Sequence, residues 1–276
     1  RLATHLVVTQ GFIGADANGQ TTTLGRGGSD YSAALFAEAI GAKSLAIWTD
    51  VPGIYTTDPR IADRARPISE ISFSEASEMA TFGAKILHPS TLVPAVRQHI
   101  PVFVGAANAP EQGGTWIREQ AHTAPLFRAV ALRRNQTMVT LTSLNMFHAY
   151  GFLAKVFEIL ARFEISVDLI TTSEVSVSLT LDQTHTQGDA PQLPEAAVAE
   201  LTRLCQVNIC ANLAVVALIG NDMNHTPGAT FPVFSALAQH KLRMICYGAS
   251  DHNVCVVVED HDATDVVQRL HADLFE

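Results

Sequence analysis

Cysteine is scarce in this chain, and so is positive charge. Its 276 residues include four cysteines, Cys205, Cys210, Cys246 and Cys255, with no CxxC pair and no metal-ligand spacing with histidine. Neither a disulfide framework nor a zinc site is therefore expected. The cysteines read as reduced core residues, three of them inside apolar strand-like runs. No apolar run approaches the ~20 residues of a membrane span, the longest being stretches such as 213–219, and no signal peptide precedes the first residues. A cytoplasmic location is expected. Lys and Arg number 18 against 27 Asp and Glu, a formal net charge of −9, which argues against nucleic acid or an anionic membrane as the main partner. Charged residues make up 16% and hydrophobic residues 47%, far from the mix that keeps a chain disordered. The length suffices for two domains or more at roughly 100–200 residues each.

Against that background one stretch carries most of the chemistry, GRGGSDYSAALFAEAIGAKSLAIWTDVPGIYTTDP, from Gly25 to Pro59. Gly25, Gly27 and Gly28 allow a tight turn with exposed N–H groups, and Arg26 offers a planar fork for a carboxylate. Ser29 and Asp30 are expected to cap a helix starting near Tyr31, where an anion would sit. Residues 45–48 read as a buried strand ending at Thr49 and Asp50, the position where ligands collect in open α/β sheets. A glycine-rich turn alone also arises from backbone geometry with no ligand at all.

The first half alternates strand and helix signals: strands at 6–9, 45–48, 101–104 and 115–117, helices at 31–42, 73–82 and 92–98. This is an α/β pattern. Glu75 and Glu78 read as carboxylates on a solvated helix face, and His88 as a turn residue. A polar, proline-bearing segment at 118–127 marks a domain boundary. The second half repeats itself without a gap. Val139, Leu141, Val156, Phe157, Leu160, Ala161, Ser173 and Val177 recur 77 residues later as Val216, Leu218, Val233, Phe234, Leu237, Ala238, Ser250 and Val254. Each copy reads strand, helix, strand, strand, helix, the ferredoxin-like layout.

The segment from Gly25 to Pro59, with FSEASEMATFGAKILHPSTLVPA at 73–95, closely resembles the aspartate kinases of the amino-acid kinase family, and the repeat resembles a pair of ACT domains. The resemblance runs to the last residue. It implies the later part of an amino-acid-kinase-type α/β sandwich at 1–120, followed by two ferredoxin-like βαββα (ACT) modules at 128–212 and 213–276. It also implies transfer of the γ-phosphoryl group of ATP to the β-carboxylate of L-aspartate, the first step toward lysine, threonine and methionine, with Mg2+ accompanying the nucleotide and no protein ligand assigned to it. A carboxylate with a pKa of about 3.9 is already ionised at neutral pH, so this chemistry needs no general base.

Carried onto this sequence, Arg26 clamps the aspartate carboxylate with the amides of Gly27, Gly28 and Ser29, and Phe12 borders that pocket. Thr49, Asp50, Tyr55 and Arg60 line the nucleotide site, with Lys85 near the phosphates or purine. Three roles stay open for Asp30: orienting Arg26 or a lysine of the family, holding a magnesium-bound water, or capping its helix. The effector positions of the lysine-sensitive members correspond to Met146, Phe152, Leu153, Ser166, Val167, Asp168, Ser173 and Glu174. Asp168 is read there as the partner of a ligand ammonium, although a solvated strand edge would also explain it. Ala149 departs from the family's serine.

The expected effector is L-lysine, the expected assembly a homodimer or a dimer of dimers, and the second module, with Ile245 in the place of Asp168, is expected mainly to pair subunits. Aspartate kinases open with a KFGGTS-type strand that nothing here matches. The chain is therefore expected to begin within the kinase domain and to be incomplete for catalysis alone, and its end after the second repeat favours the monofunctional form. Two other readings compete. One is a non-catalytic amino-acid sensor with a scaffold kinase remnant, which ATP binding would distinguish. The other is an amino-acid kinase acting on glutamate or a carbamate, which would lack the paired repeat.

Overall fold

The computed structural model describes residues 6–25, 27–83, 89–146, 150–182 and 190–276, which fall into two compact units. The first comprises residues 1–129 with 219–221, and the second 130–218 with 222–276.

In the first unit a hairpin of β1 (Ile13–Ala15) and β2 (Thr21–Thr23) leads into α1 (Gly28–Ile40). Then follow β3 (Leu45–Thr49), the small pair β4 (Ile54–Tyr55) and β5 (Pro67–Ile68), β6 (Glu70–Ser72), α2 (Phe73–Thr81), α3 (Pro89–Arg97), β7 (Val102–Ala106) and β8 (Gly114–Arg118). Four strands form one sheet in the order β3-β7-β8-β6, with β3 parallel to β7, β7 antiparallel to β8, and β8 parallel to β6. The β7–β8 reversal depends on glycine. Gly113 has φ +79°, and a Cβ on Gly114 would stand 2.2 Å from the Val104 carbonyl oxygen. Alternation sets the faces: Leu45, Ile47, Val102, Val104 and Ile117 are buried, while Trp48, Phe103 and Trp116 form an aromatic row on the opposite face, with the Arg118 guanidinium over the Trp116 ring. Residues 45–48 are thus buried on one face only, and Trp48 remains half exposed.

Two further expectations are corrected. Residues 6–9 form no strand, and Leu6, Val7 and Val8 are exposed; apolar β-formers make a strand only where another strand accepts their hydrogen bonds, and none does here among the described residues. Glu75 is not solvated but 1% exposed. Its helix α2 opens with a reciprocal capping box, in which the Ser72 hydroxyl accepts from the Glu75 amide and a Glu75 carboxylate oxygen accepts from the Ser72 amide. That local tether turns the side chain inward.

The second unit is one six-stranded sheet, ordered β10-β11-β9-β12-β14-β13. Its first module takes the C-terminal half of β9 (Phe127–Thr142), then α4 (Phe152–Arg162), β10 (Val167–Thr172), β11 (Ser176–Leu181) and α5 (Glu195–Thr202). Its second uses β12 (Gln206–Gly220), α6 (Thr230–Ala236), β13 (Met244–Tyr247), β14 (Asn253–Glu259) and α7 (Ala263–Phe275). The repeat is visible in burial. Val139 and Val216, Leu141 and Leu218, Val156 and Val233, Leu160 and Leu237, and Val177 and Val254 are all at most 3% exposed. It is visible in the backbone too. Asn135 and Asn212 are both left-handed, at φ 58° and 57°, and Gly151 and Gly228 both have φ 77°. The four cysteines are unpaired; Cys205 and Cys255 are buried, whereas Cys210 and Cys246 are only half-buried.

Candidate functional site

The glycine turn and the end of β3 lie at the same end of the first unit, and connectivity shows why. Helix α1, about 20 Å long at 1.5 Å per residue, packs on β3 and feeds it through a tight turn, so the helix begins where the strand finishes. The helix starts three residues earlier than Tyr31. Gly27, left-handed at φ 72°, is its N-cap, and no side chain caps it. Ser29 and Asp30 are thus first-turn residues and not caps. Gly27 accepts from the Tyr31 amide through its carbonyl, at 2.9 Å, and the amides of Ser29 and Asp30 have no acceptor within the first turn. These donors and the helix dipole suit a carboxylate or phosphate. Burial raises the Asp30 carboxyl above its ordinary value.

Phe12 meets this turn from the other side. It is left-handed, φ 71°, its amide donates to the Ser32 hydroxyl at 3.0 Å, and the Ser32 hydroxyl donates to the Gly28 carbonyl at 2.8 Å. A Cβ on Gly28 would stand 2.9 Å from the Leu24 Cβ and 3.0 Å from the Phe12 ring, so only glycine lets the ring lie on the turn. Arg26 and Lys85, with His88, lie outside the described residues.

At the end of β3 the Thr49 hydroxyl donates to Asp50 Oδ1 at 3.0 Å, holding that carboxylate at the strand tip. Tyr55 lies on the two-stranded β4–β5 ribbon. Thr115, which the sequence did not single out, ties this ribbon to the sheet: its hydroxyl accepts from the Ile54 amide at 2.8 Å and donates to the Ile68 carbonyl at 2.6 Å. Arg60 is exposed, and its guanidinium grips Asp58 at 2.7 Å, a contact that raises its pKa further. Among the described residues no three His, Cys, Asp or Glu side chains converge as a metal site.

The eight effector candidates divide into two groups within the chain. Strand β9 runs up to Thr142, α4 returns, and β10 runs up again beside β11. Met146, Phe152, Leu153, Ser173 and Glu174 therefore lie at one end of the first module, where the Ser143 amide donates to the Val175 carbonyl at 2.8 Å. The Ser173 and Ser176 hydroxyls pair there at 2.7 Å. Ser166, Val167 and Asp168 lie at the other end, about 16 Å away along five strand residues. There the Ser166 hydroxyl reaches Asp182 at 3.4 Å, and Asp168 forms an ion pair with Arg133 of β9. Arg133 was not foreseen. Burial pushes its guanidinium down from the usual arginine range, and the Asp182 carboxylate opposes that shift.

The second module closes the equivalent turn on itself. Met223, the counterpart of Met146, is 1% exposed; its amide donates to the Asp251 carbonyl, and its own carbonyl accepts from the Tyr247 hydroxyl at 2.8 Å. Asn224 Nδ2 donates to the Ser250 carbonyl and to Asp251 Oδ1, both at 3.0 Å. The counterparts of Ser173 and Glu174 are thus used internally.

Comparison with known proteins agrees with this division. Residues 2–106 match the amino acid kinase family, and residues 139–188 and 216–274 match the ACT domain. The chain is an amino-acid-kinase region joined to ACT modules. More narrowly, it is similar to aspartokinases: it is 60% identical over 277 aligned residues to lysine-sensitive aspartokinase 3 of Escherichia coli, covering all of this chain and 62% of that protein. The crystal structure of E. coli aspartokinase III in complex with aspartate and ADP matches with a TM-score of 0.89 at 59% identity, over 100% of this chain and 62% of the other. The complex of that enzyme with lysine and aspartate gives 0.83 at 60% identity, over 98% and 60%. The chain therefore spans less than two thirds of the length of these relatives.

Proposed function

We propose that this chain works within an L-lysine-regulated aspartate kinase, converting ATP and L-aspartate to ADP and 4-phospho-L-aspartate. The observation that carries the reading is that the uncapped, glycine-framed start of α1 and the Thr49–Asp50 tip of β3 lie at the same end of the first unit. One offers amides for a carboxylate, and the other a polar strand end for a nucleotide. The aspartate side-chain oxygen attacks the γ-phosphorus and the bond to the ADP oxygen breaks; no proton has to be removed. Catalysis then consists of positioning and charge neutralisation. Arg26 with the amides of Gly27, Gly28 and Ser29 orients the acceptor, and Thr49, Asp50, Tyr55, Arg60 and Lys85 hold the nucleotide. Mg2+ enters on the ATP phosphates and needs at most one or two protein carboxylates. The setting is cytoplasmic; no described helix is long and apolar enough to cross a membrane.

Regulation is assigned to the first ACT module. Its two groups of effector residues sit at opposite ends of one copy, so a two-fold pairing that lays one end against the other end of a second copy completes two identical sites. L-lysine would place an ammonium on Asp168, in competition with Arg133, and its other end on the 143–153 and 173–174 turns. Support for a single working module comes from the second, whose turn is filled by Met223 and Tyr247. The test is an assay of the full-length enzyme with ATP and L-aspartate, trapping the acyl phosphate as its hydroxamate, with and without L-lysine. Product formation suppressed by lysine supports the reading. Absence of the hydroxamate from an enzyme that binds lysine would favour the non-catalytic sensor.

A further inference from the structure

Two strands enter the second unit from the first, β9 at its start and β12 in reverse, since residues 219–221 rejoin the first unit. Both are fastened to the same oxygen atom. Glu75 Oε1 accepts from Arg128 Nε at 2.7 Å and from Asn221 Nδ2 at 2.8 Å, while Oε2 accepts from the Ser72 amide at 2.8 Å. The carboxylate is 1% exposed, Arg128 8% and Asn221 9%. The remaining donors close the knot over residues 123–126. Arg128 Nη2 donates to the Thr123 carbonyl, Asn221 Nδ2 to the Pro125 carbonyl at 3.0 Å, and the Asn221 amide to the Leu126 carbonyl at 3.3 Å.

A buried charge held by three donors tolerates little displacement, because any donor drawn away leaves part of it unpaired in a low dielectric. Glu75 thereby fixes the register of both strands against α2, and α2 ends four residues before Lys85 in the sequence. We infer that Glu75 is a positioning residue that relays effector occupancy of the first ACT module, through β9 and β12, to α2. The inference rests on the proposed lysine regulation. A shift of either strand on effector binding acts on Oε1, and the capping box passes that load to the first turn of α2. The carboxylate touches neither substrate nor nucleotide in this scheme.

The test is hydrogen–deuterium exchange of the α2 amides in this chain, with and without saturating L-lysine, alongside calorimetric titration of the same samples. In the wild-type chain lysine is expected to change α2 exchange by about tenfold, within the usual range of coupling between sites. In Glu75→Gln lysine still binds, and the α2 response is lost. Asn221→Ala leaves the Glu75–Arg128 pair in place, so it carries the test should the first variant not fold; its α2 response is expected to be reduced. A purely structural knot would alter α2 exchange in the absence of lysine yet leave the lysine-dependent ratio unchanged. A variant that binds lysine and shows the full wild-type ratio therefore overturns the relay. A wild-type chain that binds no lysine overturns the regulatory reading, and the relay with it.

Discussion

Asp30 is a carboxylate placed where its negative charge is only partly solvated, in the first turn of α1, and burial raises its pKa. A raised carboxyl pKa means the folded chain binds the proton more tightly than the unfolded chain. Stability contributed by this group is therefore present at low pH and is lost as pH rises through the folded value. Asp30→Asn is expected to raise the thermal midpoint at pH 7, with the gain vanishing at a pH below both values; thermal unfolding at several pH values checks this. If Asp30 serves the reaction, the same variant loses activity in the full-length enzyme although it is more stable, the trade expected of a site that stores strain for function. Gly28 carries a different constraint. A methyl group there would press on Leu24 and the Phe12 ring, so Gly28→Ala is expected to cost about 1–3 kcal/mol in urea unfolding, as overpacking does. That the turn needed these glycines was legible in GRGGSD. The role of Gly28 as a seat for Phe12 was not, because it depends on a residue 16 positions earlier that only folding brings across.

Among the elements, α2 shows how a local sequence signal and a tertiary contact share one side chain. The Ser72-x-x-Glu75 spacing has the capping-box form, a signal present in the sequence but first recognised in the structure, and Ser72→Ala is expected to cost about 1 kcal/mol, measured as a shift of the urea midpoint with an unchanged slope. The burial of Glu75 was not legible. Its partners Arg128 and Asn221 stand 53 and 146 residues away, and a lone glutamate on a helix looks solvated until they arrive. Strand 6–9 failed in the opposite sense, since its composition favours a strand but nothing described pairs with it. The α/β order of the first unit and the boundaries of α2, β7 and β8 followed from hydrophobic periodicity and glycine placement to within a residue or two.

At the level of the whole molecule, the 77-residue repeat was the firmest reading, because five of its matched pairs, Val139 with Val216, Leu141 with Leu218, Val156 with Val233, Leu160 with Leu237 and Val177 with Val254, are buried in both copies. The proposed effector site was legible in its residues and not in its layout. Its residues could be named by resemblance, but their separation to two ends of the module, and the Arg133 partner of Asp168, required strand directions that no linear spacing reports. This separation makes the central claim specific: lysine is held by Asp168 of one copy and the turns of another. The most direct test is calorimetric titration of this chain with L-lysine, with L-threonine and L-aspartate as comparisons and Asp168→Asn as control. Saturable binding of lysine by a dimer, absent for threonine and lost in Asp168→Asn, is the predicted result. A folded dimer that takes up no lysine, or an Asp168→Asn variant that binds it as well as the wild type, would contradict the account.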